Sequence, residues 1–499
     1  MNPATKYNKT RSSKYLIALC LFFLCFIFSG CGSGSSTTSS TLPTGDVITF
    51  SPSVITLNNP TGNVPNSIQQ FTLQLTALNS LGQPLIPSAQ NPIHINVYGA
   101  PNGVISPSST TTSTESVTFI YNGESFPNNI TINAWITDTT NNGAAIGVTQ
   151  ILMQNKPSSC VYGTKSYNVP LESSLPGPLQ VLADVGYNQE SASAKVVPFI
   201  IDTGSLGVML PESELSSDNL IGPGATGFQY YDSNGYTYSG NYYLAPVSIK
   251  LQDGSVIQTH PIMVLGYNKK YCYGPSFLSC YVKGSPPDIH IIGIGFDSVS
   301  TLPGALFNSP AYNAFLHITD ASNGTDISPG YYITPNDGST ATGLTLGITS
   351  TESYSVVDLT QNPYIPGDFY RPPGCYSFTE LPVPNQFCTT VILDTGIDFA
   401  IIHQFQSQWP NGTYNSKDQV PAGESMAVQI GAYAMPAANY SFVTVESNPP
   451  NGSATPELVQ WLPATESTQV FFNTGRRLLY SYDYFYDGQC GQVGYFKLP

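Results

Sequence analysis

Charge is scarce in this chain: only 9% of its 499 residues are Asp, Glu, Lys or Arg. Cations are the scarcer kind, with 16 Lys and Arg against 31 Asp and Glu, for a net charge of −15. Such a chain offers no basic patch of the kind phosphates demand, which argues against a nucleic-acid partner. Metal-ligand spacing is missing too. There is no Cys-x-x-Cys and no Cys/His cluster, and His94, His260, His290, His317 and His403 stand singly along the chain. They read as structural, with neither a metal nor a cofactor implied. Beyond residue 28 no segment has eighteen consecutive apolar residues, so no later helix is expected to span a bilayer. With so few charges, an acid directly behind an apolar run stands out, because burying a lone carboxylate is costly unless it is hydrogen-bonded or protonated.

The N-terminus speaks to the compartment. Lys6, Lys9, Arg11 and Lys14 precede an apolar run from Tyr15 to Phe28, and "FSGC" ends it at Cys31. A charged start, a short apolar core and small residues before a cysteine read as a secretory signal. With its cysteine the segment resembles a bacterial lipoprotein signal, which implies residues 1–30 as the signal, lipidation at Cys31 and a place in the cell envelope. Gly32 after the cysteine suggests the outer membrane, facing either the periplasm or the exterior. An ordinary signal peptide and an uncleaved anchor helix are the alternatives. Of nine cysteines, Cys20 and Cys25 fall in the signal and Cys31 would carry lipid, leaving six. An even remainder in an exported chain reads as up to three disulfides. Proximity along the chain pairs Cys272 with Cys280 and Cys375 with Cys388, which leaves Cys160 with Cys490.

Composition then divides the rest. Residues 31–45, with "GSGSSTTSSTLPTG", are a flexible linker. Over 46–157 apolar residues alternate strictly: Phe71, Leu73, Leu75 and Ala77; Ile93, Ile95 and Val97; Ile130, Ile132, Ala134 and Ile136. Clusters of Asn, Pro and Gly separate these runs, which argues an antiparallel sandwich of immunoglobulin-like type. That stretch carries no chemical constellation and reads as a spacer or docking module.

The acids behind apolar runs occur twice. "PFIIDTGSLGVML" places Asp202 after Phe199, Ile200 and Ile201, and "TVILDTGIDFAII" places Asp394 after Val391, Ile392 and Leu393. Each copy reads as a buried strand entering a tight turn, and their separation, from 202 to 394, is about one domain's length. Two such turns meeting across an interface would set two carboxyls face to face. Like charges that close cannot both ionise readily, so one proton is shared.

On these residues the chain resembles the pepsin-like aspartic proteases, which carry one Asp-Thr-Gly per lobe. The resemblance runs in order from about Cys160 to Pro499: "IHIIGIGF" around Gly293, the hairpin "PGYYITPNDGSTATGLTLGI", and the closing "NTGRRLLYSYDYFYDGQCGQVGYFKL" with Gly475 near its start. A looser similarity exists to bacterial lipoproteins with the same paired turns. The resemblance implies an all-β fold with few short helices, in which the sandwich is followed by an N-terminal lobe over 158–345 and a C-terminal lobe over 346–499. It also implies that the first strand of the protease unit and the last strands share an interlobe sheet, which would bring Cys160 to Cys490.

Carried over residue by residue, Asp202 and Asp394 are catalytic. Thr203 and Thr395 cross-bond the lobes, Gly204 and Gly396 let backbone N–H groups approach the carboxylates, and Ser205 adds a hydrogen bond to Asp202. The Tyr-rich stretch "FQYYDSNGYTYSGNYY" falls where the family keeps its flap, with Tyr230, Tyr231, Tyr236 and Tyr238 as candidates and Tyr230 preferred. Two departures fall in the second lobe. Ile397 stands where a Ser or Thr usually follows the turn, and Asn473 and Thr474 stand where two apolar residues should precede Gly475. The expected activity is peptide-bond hydrolysis by a monomer acting on a peptide or protein. The alternatives are a pepsin-shaped lipoprotein that binds peptide or glycan without cutting, and a glycosidase with paired carboxylates.

Overall fold

Alternating apolar residues make strands because successive side chains of an extended chain point to opposite faces. In strand Gln69–Leu78 the inward set is Leu73, Leu75 and Ala77, all fully buried, and Ile93, Ile95, Ile130, Ile132 and Ala134 join them in one core. Burying each such side chain stabilises by about 1.5–3 kcal/mol relative to exposure. The computed structural model describes residues 46–499 apart from 52–53, 58–68, 80, 99–102, 122–128, 139–142, 154–159, 161, 187–195, 232–234, 273–286, 298–308, 321–323, 325, 336–342, 363–364, 366, 380–385, 406–418 and 465–469. The signal, the linker and Cys31 therefore lie outside the described residues, as does the pairing of Cys272 with Cys280.

The fold is all-β: a β-sandwich followed by a body of two lobes. Among the described residues helix is confined to short 3-10 turns at Glu212–Glu214, Pro310–Tyr312, Ala314–Leu316 and Arg476–Tyr480. The sandwich strands are mainly antiparallel. Its first strand, Val47–Ser51, pairs antiparallel with Gln69–Leu78 on one side and meets Gly143–Met153 in parallel on the other, linking the two layers.

The sandwich is more than a spacer, since it is packed on the first lobe. Strand Asn129–Asp138 turns Ile130, Ile132 and Ala134 inward, yet Thr131 and Asn133 on its other face are buried as well. Asn133 Nδ2 donates to the Pro261 carbonyl at 2.9 Å. Trp135, Ile146 and Val148 pack with Leu206, Met209 and Tyr236 of the first lobe. A strand buried on both faces carries apolar or bonded side chains on both, which is why its outward positions are not uniformly charged.

Each lobe builds the same three-stranded unit. In the first, Val197–Asp202 and Leu206–Pro211 flank Ile291–Ile294, which runs parallel to the former and antiparallel to the latter. In the second, Phe387–Ile392 and Ala400–Phe405 flank Phe471–Asn473 in the same way. The runs around each acid are nearly continuous in apolar residues because these strands lie inside their lobes. Phe199, Ile201, Val208, Val391, Ile402 and Phe472 are all at most 1% exposed.

A six-stranded sheet joins the two lobes. The hairpin strands Gly330–Ile333 and Leu344–Leu346 belong to it, with Gly330–Ile333 antiparallel to Tyr482–Asp487 near the chain's end. Cys490, in the turn between Tyr482–Asp487 and the last strand, Gln492–Lys497, is fully buried and bonded to Cys160, their Cα atoms 5.9 Å apart. Cys375 and Cys388 face each other on paired strands and are also bonded.

Candidate active site

Both acids sit where a buried strand breaks into its turn. Asp202 ends strand Val197–Asp202, and Asp394 follows Phe387–Ile392 by two residues; they are 5% and 8% exposed. Each carboxylate first accepts from its own turn. Gly204 N–H donates to Asp202 Oδ1 at 2.8 Å, and Gly396 N–H donates to Asp394 Oδ1 at 2.9 Å.

The glycines have a second purpose, set by the opposite lobe. A Cβ on Gly204 would overlap the Asp394 carboxyl, and one on Gly396 would lie 2.6 Å from Asp202 Oδ1. Only residues without a Cβ let the two turns close on each other. The two carboxyls face each other across the paired turns, close enough for their charges to interact. Burial and the Asp202 charge hold Asp394 well above the usual carboxylate range, so the pair retains one proton.

Between the turns lies a symmetric set of hydrogen bonds. Thr203 Oγ1 donates to the Leu393 carbonyl at 2.6 Å and accepts from Thr395 N–H at 3.0 Å. Thr395 Oγ1 donates to the Ile201 carbonyl at 2.6 Å and accepts from Thr203 N–H at 3.0 Å. Four buried backbone groups are thus satisfied across the interface by two hydroxyls.

The outer oxygens are bonded by different residues in the two lobes. Ser205 Oγ donates to Asp202 Oδ2 at 2.6 Å. Position 397 would make the second lobe lack an equivalent donor, but Asn473 Nδ2 donates to Asp394 Oδ2 at 2.7 Å. Asn473 Oδ1 in turn accepts from Gly475 N–H at 2.9 Å, which fixes the amide's orientation. The polar residue that broke the apolar pattern before Gly475 is therefore the missing donor. Gly293 pairs in register with Asp202 on the first lobe's central strand, and Gly475 follows the second lobe's central strand, Phe471–Asn473.

A buried cation lies behind the second turn, and sequence reasoning missed it. Arg476 is 6% exposed; Nη1 donates to the Thr395 carbonyl at 3.1 Å, Nε donates to the Pro176 carbonyl at 2.7 Å, and Nη2 lies 3.5 Å from Asp398 Oδ2. It ties the second turn to the chain entering the first lobe. The only signal for it was a doubled arginine in a chain poor in cations.

The flap candidates separate clearly. Hairpin strands Thr226–Tyr231 and Tyr236–Ala245 pair Tyr231 with Tyr236 at the end nearest the tip. Tyr238 is fully buried and donates to the Pro287 carbonyl at 3.2 Å, and Tyr236 packs in the same cluster. Tyr231, one residue beyond the preferred Tyr230, lies beside Ser205 and Asp202, and burial with the nearby Asp202 charge pushes its hydroxyl well above its usual pKa. The hairpin thus sets a tyrosine beside the Ser205–Asp202 hydrogen bond.

No protein-family model and no curated protein matches the sequence. Among solved structures the chain is similar to the crystal structure of the aspartic proteinase from Irpex lacteus, at 14% identity and a TM-score of 0.39, over 67% of this chain and 97% of that one.

Proposed function

We propose that this chain is an aspartic-type endopeptidase that hydrolyses peptide bonds by activating water between Asp202 and Asp394, and that Cys31 tethers it to the bacterial envelope. The observation that carries the reading is the pair of buried carboxyls set face to face by two turns that close on each other through the Thr203 and Thr395 hydroxyls. The ionised partner takes a proton from the attacking water while the protonated partner donates to the scissile carbonyl oxygen. No covalent intermediate forms. The hairpin carrying Tyr231 covers the site and limits water entry once substrate is bound.

A glycosidase fits less well, because its carboxyls stand about 5–9 Å apart to admit a sugar or water between them, whereas here each acid's turn closes directly on the opposite carboxyl. The argument for a non-cutting binder rested on the missing hydroxyl at Ile397, and Asn473 removes its basis. The test is incubation of the purified chain with a mixed peptide library across pH, with and without a statine-type inhibitor. Cleavage stopped by the inhibitor supports the reading; no cleavage at any pH sinks it.

Asn473 sets the pH range of that activity. Its donation favours the ionised form of Asp394 and so opposes the upward push of burial and the Asp202 charge. Asn473→Ala removes the opposition, the pair holds its shared proton to higher pH, and the alkaline limb of kcat/KM should move up by roughly one pH unit. Ile397→Thr should leave that limb in place, because the outer oxygen of Asp394 already has its donor. A downward shift in Asn473→Ala would contradict the assignment. For the tether, Cys31→Ala is expected to move the protein out of the membrane fraction, and unchanged fractionation and mass would refute lipidation.

A further inference from the structure

Three polar side chains meet away from the dyad, on the side of the first lobe that faces the sandwich. His260 follows strand Val256–Thr259, His317 caps the 3-10 turn Ala314–Leu316, and Asp326 lies in an isolated bridge with Thr319. His260 is 4% and His317 0% exposed, and the Asp326 side chain is 12% exposed. The backbone draws them together, His260 N–H donating to the His317 carbonyl at 3.2 Å. The two imidazole rings are 4.7 Å apart at 57°. One ligand-capable atom from each of the three residues lies within 4.8 Å of the others.

Their hydrogen bonds leave donor atoms over. His317 Nε2–H donates to the Pro310 carbonyl at 3.0 Å, so Nδ1 carries the lone pair, and it has no partner among the described residues. His260 Nε2 and Asp326 Oδ2 are likewise buried without a partner there. A backbone carbonyl holding one ring nitrogen while the other is left bare is how a metal-binding imidazole is oriented. The 3.4 Å between His260 Nδ1 and Asp326 Oδ1 matches the edge of a tetrahedron with bonds of 2.0–2.1 Å, about 3.3 Å. Tyr98 of the sandwich stacks on the His260 ring at 5.2 Å and 14°, closing the group from the sandwich side.

We propose that His317 Nδ1, a ring nitrogen of His260 and a carboxylate oxygen of Asp326 bind one Zn2+, a structural ion at the seam between sandwich and first lobe. Two imidazoles and one carboxylate are borderline donors that suit zinc rather than the all-oxygen cations, and they leave a fourth position for water. The ion satisfies His317 Nδ1, a buried atom that is costly when bare. Through Tyr98 it also stiffens the docking of the sandwich. The site is independent of the carboxyl dyad.

The test uses the full chain, stripped with chelator and dialysed. With Zn2+ added and excess removed, elemental analysis should give close to one zinc per chain, and Co2+ in its place should give the visible absorption of a tetrahedral site. At about a hundred times Kd, Zn2+ should raise Tm by roughly 3–5 °C. Asp326→Asn keeps shape and should weaken Zn2+ binding about tenfold or more, His317→Gln should abolish it, and Asp202→Asn should leave it intact. Wild type that retains no zinc and shows no Tm change, or Asp326→Asn and His317→Gln that bind as wild type does, would overturn the proposal.

Discussion

Asp202→Asn and Asp394→Asn are each expected to lower kcat/KM for peptide cleavage by about a thousandfold or more, while the fold persists. The reason lies in the single proton. One carboxyl must be ionised to take the water's proton and the other protonated to donate to the carbonyl oxygen, and an amide can do neither. Asparagine nearly matches aspartate in shape, and the backbone donors Gly204 N–H and Gly396 N–H still have an acceptor in the amide oxygen. Stability should move the other way. A carboxyl whose folded pKa is raised contributes stability that is complete below its unfolded pKa, near 4, and is lost as pH rises through the folded value. Asp394→Asn removes that loss, so its Tm should exceed that of wild type above neutrality and match or fall below it in acid. Thermal unfolding of both proteins from pH 4 to pH 8, beside peptide turnover, checks this. Residual activity within tenfold of wild type in both variants would refute the catalytic assignment.

Thr203→Val and Thr395→Val should each destabilise the protein by about 2–5 kcal/mol. Valine keeps the β-branched shape and strand preference, so the change isolates the hydroxyl. Thr203→Val strips the Leu393 carbonyl of its donor and Thr395 N–H of its acceptor, and Thr395→Val does the same to the Ile201 carbonyl and Thr203 N–H. A buried backbone group left bare costs about 1–3 kcal/mol, and each variant leaves two. The double variant leaves four, a sum comparable to the whole stability of a domain, so it should lose cooperative unfolding. Equilibrium urea denaturation reads these values; single variants that lose less than about 0.5 kcal/mol would mean the hydroxyls do not hold the lobes together.

How far the sequence could be read varied with distance along the chain. The sandwich core was legible because alternation over a few residues, as at Leu73, Leu75 and Ala77, is a local pattern with one physical outcome. The duplicated turns were legible because each repeats an apolar run, an acid and a glycine within a dozen residues. Asn473 was seen only as a departure. Its purpose depends on a partner 79 residues earlier, and nothing near it announces that Asp394 is there. Tyr230 was preferred over Tyr231, and in a strand one residue of difference turns a side chain to the opposite face. Which face meets Ser205 follows from how the hairpin folds over the lobe.

The histidines show the limit most clearly. Placed at 260 and 317 with Asp326 beyond, they have no ligand spacing, and they read as isolated until the strand after Val256 and the 3-10 turn at Ala314 lie side by side. The same holds for Trp135 and Val148, whose half-apolar strand face makes sense only against the first lobe. By itself the sequence determined the strands, the two acid turns and the low charge that makes each buried carboxyl conspicuous, because these depend on neighbours within one element. Only the tertiary structure decided which donor serves Asp394, which tyrosine reaches Ser205 and which polar atoms are buried together. Those choices depend on contacts between elements far apart in the chain, fixed by the packing of two lobes and a sandwich around one another.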